Sequence, residues 1–271
     1  MVAAGRPDPR ELLAVAVSVV RPAAAQARWM RAAGVDQVVT KSTETDVATA
    51  ADRAVERAAV AALRRARPHD AVLGEEYGQQ QPGGATVRWL LDPIDGTVNY
   101  LYGLPWYAVS LAAEVGGEVV AGVVRNPVTG QEWTAASGHG AWRGGTRLHG
   151  SRQRRLSQAL VATGFGYHPA RRSRQAAVVA GLIAQVRDIR RCGAAALDLC
   201  LAAEGSVDAF YERGLSSWDY AAGGLVAAEA GLVVAGLAGA PPGPEMLVAA
   251  PPALFRPLHD RLVALAAASG P

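Results

Sequence analysis

Three observations in the amino-acid sequence predict an α+β and α/β chain, a layered αβαβα sandwich with an N-terminal antiparallel-sheet half and a C-terminal mixed-sheet α/β half. Half of the 271 residues are hydrophobic and 19% are charged, which describes a globular chain with a large core. In the first half, helical runs precede short apolar strands joined by tight glycine turns. In the second half strands and helices alternate, the pattern of an α/β layer.

Residues 8–33 carry helical spacing, with Pro22 expected to kink the helix or end a turn. A short stretch, Gln37 to Lys41, leads into the polar run KSTETD, a predicted mobile loop ending in a helix N-cap at Thr45 or Asp46. Val55, Ala58, Ala59, Ala62 and Leu63 mark one apolar face of the helix that follows, and Pro68 stops it. AVLGEEYG and RWLLD are two short strands, each ending in acid. AVSLAAEV and EVVAGVV flank Gly116-Gly117 as a hairpin, since glycine supplies the positive φ of a tight turn. NPVTG then turns the chain into the strand QEWTAAS.

The glycine-rich stretch GHGAWRGGTRLHG is the expected boundary between halves 1–150 and 151–271. Beyond it, ALVATG, RDIRR, VDAFYE, LVVAG and MLVAA read as strands. Helices are expected at 170–186, at 194–204, over WDYAAGGLVAAEAG and from about 252 to 267. There is no internal repeat.

Composition excludes several classes. A net charge of +3 is mild for this length, and Lys41 is the only lysine among 27 basic side chains. Arginine bias of that kind, in an alanine-rich chain, makes the basic pI weak support for a nucleic-acid partner, and none is expected. Cys192 and Cys200 sit in apolar surroundings and read as core thiols, with no tetrahedral zinc set beside them. The apolar run Leu12 to Val20 is too short to span a bilayer and lacks a small-residue cleavage site. A soluble, cytoplasmic protein is the expectation.

Chemistry concentrates in WLLDPIDGTVNY, residues 89–100. Asp92 and Asp95 can converge on one point only if the backbone between them is bent and fixed. Pro93 fixes φ and removes a competing N–H, which leaves the Ile94 carbonyl to point the same way as a third oxygen. Hard divalent cations such as Mg²⁺ favour this donor set. Gly96-Thr97 then opens a helix whose free N–H groups suit a phosphate. A DPxDGT string alone is also a common turn, and Asp219 in WDYAAGG could be an ordinary cap. GEE at 74–76, DPIDGT and WDYAAGG together argue for a site.

These strings resemble the signatures of the inositol monophosphatase family of Mg²⁺-dependent, lithium-sensitive phosphatases. GEE, DPIDGT and WDYAAGGLVAAEAG occur in the family's order, with DVATAAD and YERG as further elements. DGTVNYLYGLPWYAVSLA and RRCGAAALDLCLAAEGSVDAFYE look most like the bacterial inositol-1-monophosphatase branch. The resemblance covers roughly residues 10–265. It implies that Glu75, Asp92 and the Ile94 carbonyl hold a first Mg²⁺, that Asp92, Asp95 and Asp219 hold a second, and that Glu75 borders a weaker third. It pairs Asp52 with Thr97 to orient and deprotonate the attacking water, and gives the phosphate to the Gly96 and Thr97 N–H groups. Gly193, Ala195 and Glu212 match positions lining the substrate ring, and Lys41 matches a loop lysine near the third metal.

Two metals ~3.5–4 Å apart can stabilise both the attacking and the leaving oxygen of an in-line displacement. The resemblance therefore implies a homodimeric phosphomonoesterase for inositol 1-phosphate or a related cyclitol or sugar phosphate. Histidinol phosphate is the alternative substrate, and an added transcription-complex role is a further alternative. Ala194 stands where the family usually has a hydroxyl residue, which leaves the substrate open. Glu76 is expected on the opposite face from Glu75 or in solvent. Arg190-Arg191 read as a charged strand end, Trp106 and Tyr107 as core, and His69, His139, His149, His168 and His259 as surface or structural.

Overall fold

The computed structural model describes residues 7–35, 38–44, 46–80 and 85–268. Gln37 and Thr45, named above, lie outside them.

Helix α1 (Pro9–Ala33) starts on an Asp8 cap with Pro9 in its first turn, and it runs through Pro22 without ending. Strands β1 (Val39–Thr40) and β2 (Val47–Ala48) form a small hairpin. This hairpin displaces the expected cap: α2 (Ala50–Ala66) is capped by Thr49, not by Asp46. Its buried face runs through Ala51, Asp52, Val55, Glu56, Ala59, Val60 and Leu63, while Ala58 is exposed. The helix is rotated from its expected apolar stripe because two acids, one turn apart, belong to the buried face.

An eight-stranded sheet follows, from β3 (Ala71–Gly74), β4 (Gly78–Gln80), β5 (Val87–Asp95), β6 (Ala108–Val115), β7 (Glu118–Arg125), β8 (Glu132–Ala136), β9 (Ala141–Arg143) and β10 (Thr146–Arg147). Its order is β10-β9-β8-β7-β6-β5-β3-β4, antiparallel except for β3 beside β5. The short helix α3 (Thr97–Tyr102) leaves β5. The stretch 138–150 thus contributes the last two strands at one end of this sheet, with β10 at the edge.

The second sheet comprises β11 (Leu160–Thr163), β12 (Asp188–Arg190), β13 (Ala209–Glu212), β14 (Val233–Ala235) and β15 (Leu247–Ala250), ordered β12-β11-β13-β15-β14. Its parallel pairs, β11 with β12 and with β13, are crossed over by α4 (Pro169–Ile183) and α5 (Ala195–Glu204). Helices α6 (Ser217–Glu229) and α7 (Pro252–Ala264) complete the chain.

Three apolar clusters stack these elements into five layers. Trp89, Leu91 and Leu111 pack the outer face of the first sheet on α1 and α2. On the inner face, Leu90, Ala112 and Trp133 meet α5 and α6, which also cover Phe210 and Leu247 of the second sheet. Val161, Tyr211 and Val248 face α4 and α7 on the far side. Strand β5 is buried along nearly its whole length, so Trp89, Leu90 and Leu91 follow one another without the polar alternation of a half-exposed strand. Its far end carries the chemistry.

Candidate active site

Strand β5 does not stop at Asp92. It runs to Asp95 with a register shift between the two aspartates, so Pro93 and Ile94 form a bulge against β6. A bulge re-aims side chains and breaks the ladder, and proline has no N–H to lose there. Asp92 folds back to accept from the Ile94 N–H at 3.0 Å. Gly96 then takes a left-handed conformation, φ 88°, to start α3.

Glu75, Asp92, Ile94, Asp95, Gly96, Thr97, Gly193, Ala195, Glu212, Asp219 and Lys41 all line one cavity of about 740 Å³. Asp95 reaches across 100 residues to α5: its Oδ1 accepts from Ala195 N at 3.2 Å and its Oδ2 from Ala196 N at 2.8 Å. The Ala195 N–H is therefore given to Asp95 in this arrangement. Asp219 is the third residue of α6 and closes a capping box, accepting from Ser216 N at 2.7 Å. It is a cap and a cavity residue at once. Glu212, at the end of β13, presses against Gly164, where a Cβ would overlap its carboxylate.

Asp52 is fully buried. It accepts from Thr49 N at 2.7 Å and Thr49 Oγ1 at 2.6 Å. The Thr97 hydroxyl lies 3.3 Å from Asp52 Oδ1 and 3.1 Å from the Ile94 carbonyl. One proton serves both, so this hydroxyl can switch its donation between them.

The electrostatics are those of too many acids in too little water. Burial pushes Asp92 well above the usual carboxylate range, and Glu75, Asp95 and Asp219 add to it. Burial does the same to Asp219, again with help from Glu75 and Asp95. Asp95 is pushed up to about 7 by burial, against the two α5 amides. Burial lifts Asp52 to about 6 despite its Thr49 bonds. It also raises Glu212, with Asp198 adding repulsion. Among the described residues, no three His, Cys, Asp or Glu side chains close into a preformed metal cage. The acids instead line an open cavity, and a cation is the partner that relieves their mutual repulsion. Hard oxygen donors of this kind fit Mg²⁺.

One expectation needs correction. Glu76 is not turned away: its side chain is 5% exposed and pairs with Lys41, which also bonds Glu75 at 2.8 Å. The strand ends at Gly74, so the turn at 75–77 resets the alternation that would have opposed the two glutamates. Partial burial opposes the Lys41 charge, but Glu75 and Glu76 outweigh it and raise its pKa. Arg191, just past the end of β12, and His168 are exposed, as expected of a strand-end charge and a surface histidine, and both also border the cavity.

Asp198, Glu56 and Arg171 are functional candidates that sequence reasoning misses. Asp198 is buried beneath the Gly193 loop and lifted to about 7 by burial, with Trp106 Nε1 at 3.4 Å. Glu56 is fully buried and holds the turn after Glu75. An acid inside a helix's apolar face was the available signal for both.

Acids on a strand bulge and a helix start face one cavity beside a helix N-terminus, a donor set that suits a hard cation and an anion together. A model of the inositol monophosphatase family matches residues 8–268. The inositol-1-monophosphatase of Mycobacterium leprae is 47% identical over 244 residues, 84% of each chain. The Nus factor SuhB of Pseudomonas aeruginosa is 43% identical over 199 residues, 72% of this chain and 73% of that one. The solved structure of Mycobacterium tuberculosis SuhB superposes with a TM-score of 0.82 at 40% identity, covering 97% of this chain and 99% of that one. The chain belongs to the inositol monophosphatase family.

Proposed function

We propose that this protein is a Mg²⁺-dependent phosphomonoesterase acting on inositol 1-phosphate or a related cyclitol or sugar phosphate. The observation that carries the reading is the convergence of Glu75, Asp92, Asp95 and Asp219 on one cavity, with the pKa values of the three aspartates raised by burial and by neighbouring acids. Glu75, Asp92 and the Ile94 carbonyl would hold one Mg²⁺, and Asp92, Asp95 and Asp219 another, with Glu75 bordering a weaker third. When bound, the metal supplies Lewis-acid charge to the phosphoryl oxygens and acidifies water.

The chain's own residues do the rest. Asp52, near 6, is matched to accept a proton around neutrality. Thr97 can take a proton from the attacking water while giving its own to Asp52. The water oxygen bonds to phosphorus, the ester P–O bond breaks, and the leaving oxygen departs as an alkoxide with the bonding pair and takes one proton from solvent to become the alcohol, while Asp52 returns its proton to solvent. The Gly96 and Thr97 N–H groups hold the phosphate, and Glu212 accepts from ring hydroxyls beside Gly193 and Ala195. A cationic substrate such as histidinol phosphate is disfavoured, because Arg171 and Arg191 share the cavity.

Among the described residues no helix is long and apolar enough to cross a membrane; the reading of a cytoplasmic, homodimeric enzyme rests on membership of the family. Relatives named Nus factor SuhB support one second reading, an added role in a transcription complex alongside the enzyme. The deciding experiment is a phosphomonoester panel with purified protein, with Mg²⁺ and with chelator. Cyclitol phosphates should be turned over only with Mg²⁺. Hydrolysis that survives chelation, or none on any ester, overturns the proposal.

A further inference from the structure

Behind the phosphate seat and the ring wall lies a buried network that the proposed reaction leaves unused. Asn99 sits in α3, the helix opened by Gly96, and is 5% exposed. Its Nδ2 donates to the Trp106 carbonyl at 2.7 Å and, across 93 residues, to the Cys192 carbonyl at 2.9 Å. Asp198 answers from the other side. It lies in α5, is 1% exposed, and its Oδ1 accepts from Trp106 Nε1 at 3.4 Å. Burial raises its pKa most, while Trp106, the Cys192 thiol, Arg191 and the Gly193 N–H draw it back, so all four bear on one carboxylate. The backbones they join are already in contact. A Cβ on Gly96 would come within 3.1 Å of both the Gly193 carbonyl and the Ala194 methyl.

A phosphorylated ring would touch both sides at once, with its phosphate on Gly96 and Thr97 and its hydroxyls beside Gly193, Ala195 and Glu212. Covalent bonds fix that separation in the ligand, so the protein must fix it too. A misplacement of ~1 Å can cost on the order of a hundredfold in rate. Local structure alone does not supply the match: the seat belongs to the turn between β5 and α3, the wall to the turn between β12 and α5. We propose that Asn99 and Asp198 are positioning residues, a buried staple that sets the ring wall at 192–195 against the phosphate seat. This rests on the phosphatase reading above. Neither side chain lines the cavity, so ring selection would depend on residues that touch no substrate.

The test is steady-state kinetics on whole protein at saturating Mg²⁺, comparing inositol 1-phosphate with ethyl phosphate, which has no ring to reach the wall. Asp198→Ala and Asn99→Ala should each raise KM for inositol 1-phosphate about tenfold more than KM for ethyl phosphate, a loss in the range of one or two buried hydrogen bonds. Asp198 Oδ2 accepts no hydrogen bond of normal geometry, so the amide of Asp198→Asn can place its oxygen at Oδ1 and its NH₂ at Oδ2. That variant should behave as wild type. Trp106→Phe removes the indole N–H and keeps a ring, so it should fold where a truncation does not, and it should move the same ratio about threefold. An equal rise for both esters, or a rise that tracks a higher Mg²⁺ requirement, would place the two residues behind Asp95 and overturn the staple. So would an Asp198→Asn variant as impaired as Asp198→Ala, or an unmoved ratio in Trp106→Phe. Amide hydrogen exchange at 192–196 needs no turnover, and it should quicken about tenfold in Asn99→Ala as the wall loosens; unchanged exchange also overturns the staple. Wild type that turns over neither ester would overturn the phosphatase reading, and the exchange result would then judge the staple by itself.

Discussion

Asp52 performs two tasks with one side chain. Its Oδ2 closes the capping box of α2 through Thr49, and its Oδ1 faces the Thr97 hydroxyl. Because burial lifts its pKa to about 6, above the value in an unfolded chain, its contribution to stability is present at low pH and is lost as pH rises through about 6. Catalysis has the opposite need, an ionised acceptor, so activity should fall as pH drops through the same region. Thr49→Ala deletes the 2.6 Å hydroxyl bond, which favours the ionised form. A bond to a charged group is worth ~1.5–3 kcal/mol and one pKa unit ~1.4 kcal/mol, so the acid limb of the kcat/KM profile should move upward by about one to two units. The lost cap should also cost ~1 kcal/mol in denaturant melts. A limb that stays in place would remove Asp52 from the proton path. Lys41 offers a second residue-scale test, as the cation paired with Glu75 and Glu76. A guanidinium fork would hold both carboxylates more rigidly than an ammonium, so Lys41→Arg should shift the Mg²⁺ optimum several-fold with little change in Tm. Superimposable Mg²⁺ titrations would return Lys41 to the ordinary surface residues.

At the scale of elements, α2 sets the position of Glu75. Glu56, one turn beyond Asp52, accepts from Glu76 N at 2.8 Å and Tyr77 N at 3.1 Å. Gly74 is the residue that lets it in, since a Cβ there would overlap the Glu56 carboxylate. In Glu56→Gln the side-chain NH₂ must face one of those N–H groups, leaving a buried donor unpaired at a cost of ~1–3 kcal/mol. The turn should loosen, and the Mg²⁺ concentration for half-maximal activity should rise several-fold. Unchanged Mg²⁺ dependence with a lowered Tm would make Glu56 a packing residue only. Local strings made much of this site legible: DPIDGT and WDYAAGG each announce a bend or a helix start within a few residues. What was illegible depends on tertiary placement. Thr49 became the cap because β2 inserts before the helix, and Glu76 joined the site because a turn resets strand alternation. Arg171 and Arg191 both reach the cavity only because two crossovers of the second sheet start there. The α/β character of the second half was legible in its strand and helix alternation. Strands β9 and β10 were not, because their glycine-rich stretch reads as a linker.

For the whole molecule, the site is a point of self-repulsion built into the fold. Glu75 follows β3, Asp92 and Asp95 lie on β5, and Asp219 starts α6, the helix packed between the two sheets. Folding therefore brings these carboxylates together, and burial raises Asp92 well above its usual range in consequence. An unfolded chain escapes that penalty. Without metal, Asp92→Asn should make the protein more stable than wild type, provided the pH is high enough to ionise the native cluster. With Mg²⁺ the order should reverse, because a ligand that binds only the folded state adds ~2.7 kcal/mol at one hundred times its Kd. For a chain of this size that corresponds to a rise of roughly 5–10 °C in Tm. The measurement is a thermal melt of both proteins at alkaline pH, in chelator and in saturating Mg²⁺, with turnover followed in parallel. Wild type should gain several degrees on adding Mg²⁺, while Asp92→Asn should start higher, gain little and turn over almost nothing. If the variant melts lower than wild type in chelator, Asp92 is held by favourable contacts instead. The repulsion that makes the cluster a metal site would then not be stored in the fold.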